Sequence, residues 1–440
     1  MFKEIKIKTR SIKLNYGKVK KKEKSCRFLS NIRVEMFPAL EGDCMLISLG
    51  NEQKRTHILI DGGFAVTYEN YIKPRLKEIA CKGEHISLVV VTHIDTDHIE
   101  GILKLFKENK TADNPQIITI EEIWHNSYRH LQLEDDSINN LGWKEKGILT
   151  NIIAKGSMES KHSLSGDKDI SSEHGSSLAA LLYRGNYKWN THFNGMAVSC
   201  DNKKLINLDS DIVFRLLSPN NKKLDKLREY WLRELQKEKY DFKLNKDELF
   251  DDAYEFYLMN QKEIEKDYEN KDISYTEDIK DLKDFLSKSD SYDSSPANGS
   301  SISFILEYKG KKLLFLGDSH PQLIKLEIES LLKKGESKLF FDLIKVSHHG
   351  SHRNTSENLL KLIDSDIYLI STNGGRNKHP NKETIAKIVC RDTIKKRQLI
   401  FNYFQEEQPW DDENNKEKYN YDVIYPNDKK NIVIDFKGGN

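Results

Sequence analysis

The sequence predicts an α/β sandwich divided by a charged, mainly helical insertion. Three observations carry that reading: short apolar runs rich in β-branched residues, helical patterns alternating with them, and one densely charged stretch between two strand-rich halves. The runs fall at 44–49 (CMLISL), 57–60 (HILI), 86–92 (ISLVVVT), 301–308 (SISFILEY), 312–317 (KLLFLG), 342–347 (DLIKVS), 366–371 (DIYLIS) and 431–436 (NIVIDF). Each has the length and the Val/Ile content of a strand buried in a sheet. Apolar residues at helical spacing predict helices at 68–80, 100–109, 176–183, 321–334, 356–363 and 382–390. The polar stretches 156–177 and 288–300 (KSDSYDSSPANGS) read as loops or mobile connections. The expected organisation is a basic arm at 1–29, one half-fold at 30–220, the insertion at 221–294 and a second half-fold at 295–440.

Charge sharpens the division. The chain has 440 residues with 70 Lys+Arg against 69 Asp+Glu, so its total gives no case for or against a polyanionic partner. Residues 1–27 hold eleven Lys/Arg and two Glu, a net of +9. Residues 221–293 hold 15 basic and 21 acidic residues, a net of −6. The arm is either a phosphate contact or a lysine-protected edge hairpin, since Ile5, Ile7, Ile12 and Leu14 alternate as in a strand. In the insertion, Leu224, Leu227, Trp231 and Leu235 form one apolar stripe, as in an amphipathic helix packed on the main body. No apolar window is long enough to span a membrane, and MFKEIKIKTR has no apolar signal-peptide centre. Cys26, Cys44, Cys81, Cys200 and Cys390 are scattered and form no CxxC pair. These features together predict a cytoplasmic protein without disulfides or a thiolate metal site.

The chemistry is concentrated where strands end. The apolar run 89–91 leads into Thr92-His93-Ile94-Asp95-Thr96-Asp97-His98, four metal-ligand side chains within six residues. Two carboxylates beside two imidazoles are costly to bury unless cations neutralise them. Alternation along the strand is expected to send His93, Asp95 and Asp97 one way. Asp61 follows the run 58–60 and precedes Gly62-Gly63, Asp318 follows 313–317, and His348-His349-Gly350-Ser351 follows 343–347. A single strand-end Asp is usually a turn or cap residue; four such endings in one chain point to a metal centre.

As a set, these motifs resemble the metallo-β-lactamase superfamily, and more closely the family of the soluble hydrolase domain of the competence protein ComEC and its stand-alone relatives. The resemblance rests on His93-x-Asp95-x-Asp97-His98, Gly317-Asp318, Lys345-Val346-Ser347-His348-His349-Gly350-Ser351, the opening Gly42-Asp43-Cys44-Met45-Leu46-Ile47, and Asn377-Lys378-His379-Pro380. It covers roughly 30–105 and 295–385. It implies a four-layer αβ/βα sandwich holding two divalent metal ions, Mn or Zn, with Mg a further possibility. His93 and Asp95 would hold one ion and Asp97 and His98 the other, with Asp318 bridging and His348 completing the second site. Asp97, His349 and His379 would serve catalysis, while Asp61 and Asp43 orient ligands from behind. Ser351 and Asn377 are candidate phosphate contacts, or simply turn residues. Asp95 stands where the superfamily more often has a second His, a harder ligand that moves preference from Zn²⁺ towards Mn²⁺ or Mg²⁺. A third-motif histidine is not evident: His174, His192 or neither.

The implied function is metal-dependent hydrolysis of phosphodiesters, nucleic acid first, by water activated between two ions. Two alternatives stay open. One is hydrolysis of a smaller ester (a cyclic nucleotide, a phosphocholine ester or a lactone), for which a closed pocket lined by Trp124 or Trp189 is expected. The other is a partner-binding subunit, of the kind found in bacterial defence loci, that docks through residues 221–294. No membrane contact is expected.

Overall fold

A computed structural model describes residues 31–51, 53–131, 140–159, 177–239, 242–243, 245–259, 281–286, 291–375, 378–405, 408–427 and 430–437. The basic arm, His174 and Asn377 lie outside these residues. Two mixed sheets face each other. The first has the order Ile432–Lys437, Asn31–Met36, Met45–Gly50, Arg55–Ile60, Ile86–Val90, Ile123–Trp124. The second has the order Tyr421–Ile424, Arg397–Phe401, Ile367–Ile370, Leu343–Lys345, Lys311–Phe315, Ser303–Tyr308, Ile212–Ser218, Leu205–Asp209.

Period-2 alternation along the strands builds the layers. Met45, Ile47, Ile58, Ile60, Leu88 and Val90 face the second sheet's Leu216, Phe304, Phe315 and Leu343 in an inner core. Their neighbours Leu46, Leu59 and Val89 turn outward onto a helical layer. On the far side, Leu314, Ile344 and Ile370 meet Ile324 and Ile328 of helix Pro321–Leu331 and Ile385 and Ile388 of helix Lys382–Val389. Sheets in the middle and helices outside make this the four-layer α/β metallo-β-lactamase fold. Every strand in it that is sandwiched between sheet and helices must be apolar on both faces, hence the continuous runs in the sequence.

The expected division at 220 and 295 differs from the topology. Strands Leu205–Asp209 and Ile212–Ser218 already belong to the second sheet, and Ile432–Lys437 returns to pair with Asn31–Met36 of the first. The insertion packs on the main body. Leu224, Leu227, Trp231 and Leu235 of helix Asn221–Lys237 join Phe250, Ala253 and Tyr254 of helix Glu248–Met259 in the first sheet's outer core. Part of its acidity is also internal: Asp251, Asp252 and Glu255 are buried. Among the described residues no helix is long and apolar enough to cross a membrane. Cys44, Cys81, Cys200 and Cys390 are free.

Candidate metal centre

The strands place the site. Arg55–Ile60 and Ile86–Val90 run parallel, as do Lys311–Phe315, Leu343–Lys345 and Ile367–Ile370. Their carboxyl ends open at the edge where ligands of α/β sheets are bound. The strand expected to reach 92 stops at Val90, so alternation does not carry the motif. His93 and Asp95 lie in the following loop, and Asp97 and His98 in the first turn of helix Thr96–Asn109. Asp61, His348 and His349 all have left-handed backbones, at φ 53°, 45° and 53°. Such strain in residues other than glycine concentrates at functional sites. Gly42 is needed for packing: a Cβ there would lie 1.8 Å from the carbonyl oxygen of Asp97. The turn carrying Asp43 is thereby laid on the motif loop, and Asp43 N donates to Asp97 O at 3.3 Å.

Four imidazoles converge on one carboxylate oxygen. Asp318 Oδ2 is 3.7 Å from His93 Nε2, 3.4 Å from His98 Nε2, 3.7 Å from His348 Nε2 and 3.7 Å from His349 Nε2. Asp95 Oδ2 lies 3.2 Å from His93 Nε2, and Asp97 Oδ2 lies 3.2 Å from His349 Nε2. Behind the rings, acceptors set which nitrogen carries the proton. His98 Nδ1 faces Asp61 Oδ2 at 2.9 Å and His349 Nδ1 faces the Ser371 carbonyl at 3.0 Å. His348 Nδ1 faces Asn354 Oδ1 at 3.0 Å, with the Asn354 amide already donating to Asp293 and Asp318 O. Thr92 gives its single hydroxyl proton to Asp61, so it can only accept from His93 Nδ1, 3.1 Å away. In the neutral rings of His98, His348 and His349 the proton therefore sits on Nδ1, and the Nε2 lone pair points at carboxylate oxygens.

Lone pairs facing carboxylates require positive charge between them. Nε2 of His93, His98 and His349 and Oδ1 of Asp318 are buried without a hydrogen-bond partner, which is rare unless a ligand serves them. The electrostatics agree. Burial works against charge on each group, but His98, His348 and His349 hold Asp318 well below the usual carboxylate range. Burial is likewise outweighed at His98, raised well above its ordinary value by Asp318, Asp97 and Asp61. His349 is pushed up to about 9 by Asp318 and Asp43 against the same penalty. The donor set of imidazole and carboxylate fits a divalent cation of Mn²⁺ or Zn²⁺ type.

Of the residues expected from sequence, His93, Asp95, Asp97, His98, Asp318, His348 and His349 come together. Within the histidine pair, His349 groups with Asp97 and His98, while His348 reaches the same Asp318 oxygen. Asp61 takes the backbone N–H and hydroxyl of Thr92, at 2.7 Å each, as well as His98. Asp43 lies 3.4 Å from His349 Nδ1. His379 packs its ring 5.4 Å from that of His348. Ser351 Oγ is buried without a hydrogen-bond partner. His192 is elsewhere: it accepts from the Trp124 indole N–H at 3.2 Å and belongs to none of the His/Asp groups among the described residues. Trp124 is buried in the inner core, and Trp189 donates to the His125 carbonyl, so the closed aromatic pocket is not formed by this pair.

Sequence reasoning missed the supporting residues. The stretch read as a loop or mobile connection contains Asp293 and Asn298, and Ser301 directly follows it at the start of the predicted strand; all three stand behind the site. Ser301 Oγ lies 3.2 Å from His93 Nδ1 and accepts from Asp318 N at 3.1 Å. Asp293 accepts from Asn298 and Asn354 at 2.8 and 3.0 Å. A signal was present: Ser295-Pro296 is an N-cap followed by proline at the first helical position, and helix Pro296–Gly299 starts there.

Fold and site together define a metallo-β-lactamase-fold protein with a buried His/Asp metal-site candidate. Residues 38–118, which include Asp61 and the His93–His98 motif, match the Metallo-beta-lactamase superfamily. Among solved structures, the metallo-beta-lactamase fold protein YhfI from Bacillus subtilis is similar at 8% identity and a TM-score of 0.32, covering 92% of this chain and 100% of that one. No curated protein matches the chain.

Proposed function

We propose that this protein is a metal-dependent phosphodiesterase acting on nucleic acid, as the resemblance to the ComEC hydrolase domain implies. The observation that supports it most is the convergence of four Nε2 atoms, with Asp95 and Asp97, around Asp318. His93, Asp95 and His348 would hold one ion and Asp97, His98 and His349 the other, with Asp318 shared. On this reading His348 fills the place of the missing third-motif histidine. Divalent ions so held supply Lewis acidity to a phosphoryl oxygen and acidify water.

The chain's own residues do the rest. Asp61 locks His98 in one tautomer, so no reorientation is needed during reaction. Ser371, Asn354 and Asp43 do the same for the histidine pair. His379, packed against His348, would give a proton to the leaving oxygen. Ser351 and Asn377 would contact the phosphate, and the arm at 1–29 would extend the contact to flanking phosphates.

A compact phosphoester such as a cyclic nucleotide is the second reading. It is favoured by the insertion's closeness to the motif loop, where Thr96 Oγ1 donates to the carbonyl of Met259. Partner docking through the acidity of 221–294 gains no support from Asp251, Asp252 and Glu255, which point inward.

The test is an assay of purified protein with Mn²⁺, Mg²⁺ or Zn²⁺ on labelled single- and double-stranded DNA, RNA and cyclic dinucleotides. Cleavage is expected with metal and should fall at least ~100-fold in Asp97→Ala. Turnover confined to cyclic dinucleotides would select the second reading, and cleavage surviving Asp97→Ala would sink both.

A further inference from the structure

Lys345 is the last residue of strand Leu343–Lys345, and its side chain is fully buried. An ammonium so placed must be paired. It donates to Asp43 Oδ2 at 2.6 Å and to the Val346 carbonyl at 2.9 Å. The pair joins the two halves of the fold, because Asp43 precedes strand Met45–Gly50 of the first sheet and Lys345 lies in the second. A buried ion pair is a poor device for holding two halves together, since apolar residues of like volume usually serve as well or better. Its position suggests another use. The second oxygen of the same carboxylate, Asp43 Oδ1, has no hydrogen-bond partner and lies 3.4 Å from His349 Nδ1. On its other side, Asp43 is tied through its backbone N–H to Asp97 O. Asp43 thus stands between Lys345 and two members of the candidate metal cluster.

We infer that Lys345 is a positioning residue: its ammonium anchors Asp43, whose carboxylate beside Nδ1 acts with the Ser371 carbonyl to hold the His349 imidazole with Nε2 turned towards Asp97 and Asp318. The inference rests on the metal-site reading. Groups that orient a metal-ligating histidine typically contribute ~10–100-fold to metal affinity.

The experiment is Mn²⁺ titration by calorimetry, with thermal unfolding beside it, on the full chain. Lys345→Met alone leaves a buried carboxylate uncompensated and should lower Tm. Asp43→Asn/Lys345→Met removes both charges and should recover Tm, yet bind Mn²⁺ about 10–100-fold more weakly than wild type. In a His349→Ala background the same pair of substitutions should cost no further affinity. If the double variant binds Mn²⁺ as tightly as wild type, the pair only joins the halves and the inference is overturned. The same follows if its loss is undiminished beside His349→Ala. Should the double variant fail to fold, Asp43→Asn alone carries the same expectation and is overturned by unchanged affinity. A wild-type protein that binds no Mn²⁺ would overturn the metal-site reading together with the inference, whereas the other negative outcomes leave the metal site standing.

Discussion

Among the described residues, the buried carboxylates of the insertion and those around Asp318 meet their surroundings in different ways. In the insertion, Asp251 accepts from the backbone N–H of Arg129 at 3.0 Å and from its Nε at 2.6 Å. Asp252 accepts from Ser177 N at 2.9 Å, and Glu255 from Ala179 N at 3.2 Å, while His125 Nε2 sits 2.7 Å from Glu255 Oε1. Each carboxylate there meets N–H donors, and although His125 Nδ1 and Arg129 Nη2 are buried without a hydrogen-bond partner, the contacts latch helix Glu248–Met259 to the sheet edge. At Asp318 the arrangement differs: the ring Nδ1 atoms face outer acceptors, and the Nε2 atoms face carboxylate oxygens. Burial and negative charge are common to both. What separates a latch from a metal centre is the direction in which donors point.

Removing the shared acceptor is the strongest way to break this contrast. Asp318→Asn should abolish Mn²⁺ binding and hydrolysis, as followed by calorimetry and the substrate panel. Its metal-free Tm should change little, since the substitution also relieves a crowded set of buried charges. Wild type with saturating Mn²⁺ should gain ~2–4 kcal/mol of stability over chelated protein, and Asp318→Asn none. A Tm indifferent to metal in both proteins would place the Asp318 cluster in the same class as the latch.

Breaking the latch should do the reverse. Glu255→Ala strands the Ala179 N–H and the His125 imidazole in a dry interior, at about 3–5 kcal/mol of global stability. Urea denaturation would read that loss, and Mn²⁺ affinity of the folded fraction should stay within about threefold of wild type. If Glu255→Ala lost metal as well, the two clusters would be one coupled unit.

The legible part of this site was the part made of strand ends. An apolar run that stops at Asp61, at the His93 loop, at Asp318 or at His348 announces both a buried strand and the polar edge it delivers, so the fold and the convergence of these side chains were readable together. Two kinds of information were not. Which lone pair a histidine turns inward depends on partners distant in sequence, as His349 depends on Ser371 and Asp43, and no local pattern encodes that. Burial of Ser, Asn and Asp in irregular backbone is equally silent: 291–300 has the composition of a linker because its side chains serve as hydrogen-bond acceptors and donors behind the ligands. The acidity of the insertion misled for the same reason. Charge counts do not show that Asp251, Asp252 and Glu255 face inward to donors.

Ser301 gives the mildest and most selective test of the contrast. Its hydroxyl accepts the Asp318 N–H at 3.1 Å and stands 3.2 Å from His93 Nδ1, so one oxygen steadies both a ligand and the shared carboxylate. Ser301→Ala leaves the buried Asp318 N–H without its acceptor, which costs about 1–3 kcal/mol, and it adds no bulk. If Ser301 only led from the connection at 288–300 into strand Ser303–Tyr308, that loss of stability would be the whole effect. If it belongs to the back wall of a metal centre, Mn²⁺ affinity should fall as well, by about tenfold, because two ligands gain freedom at once. Ser301→Thr separates the terms: it restores the hydroxyl but brings a methyl towards Gly317, whose Cβ position would lie 3.3 Å from Ser301 Cβ. Recovered affinity with reduced stability in Ser301→Thr would assign the metal effect to the hydrogen bonds; equal affinity in all three proteins would return Ser301 to the status of a lead-in to that strand.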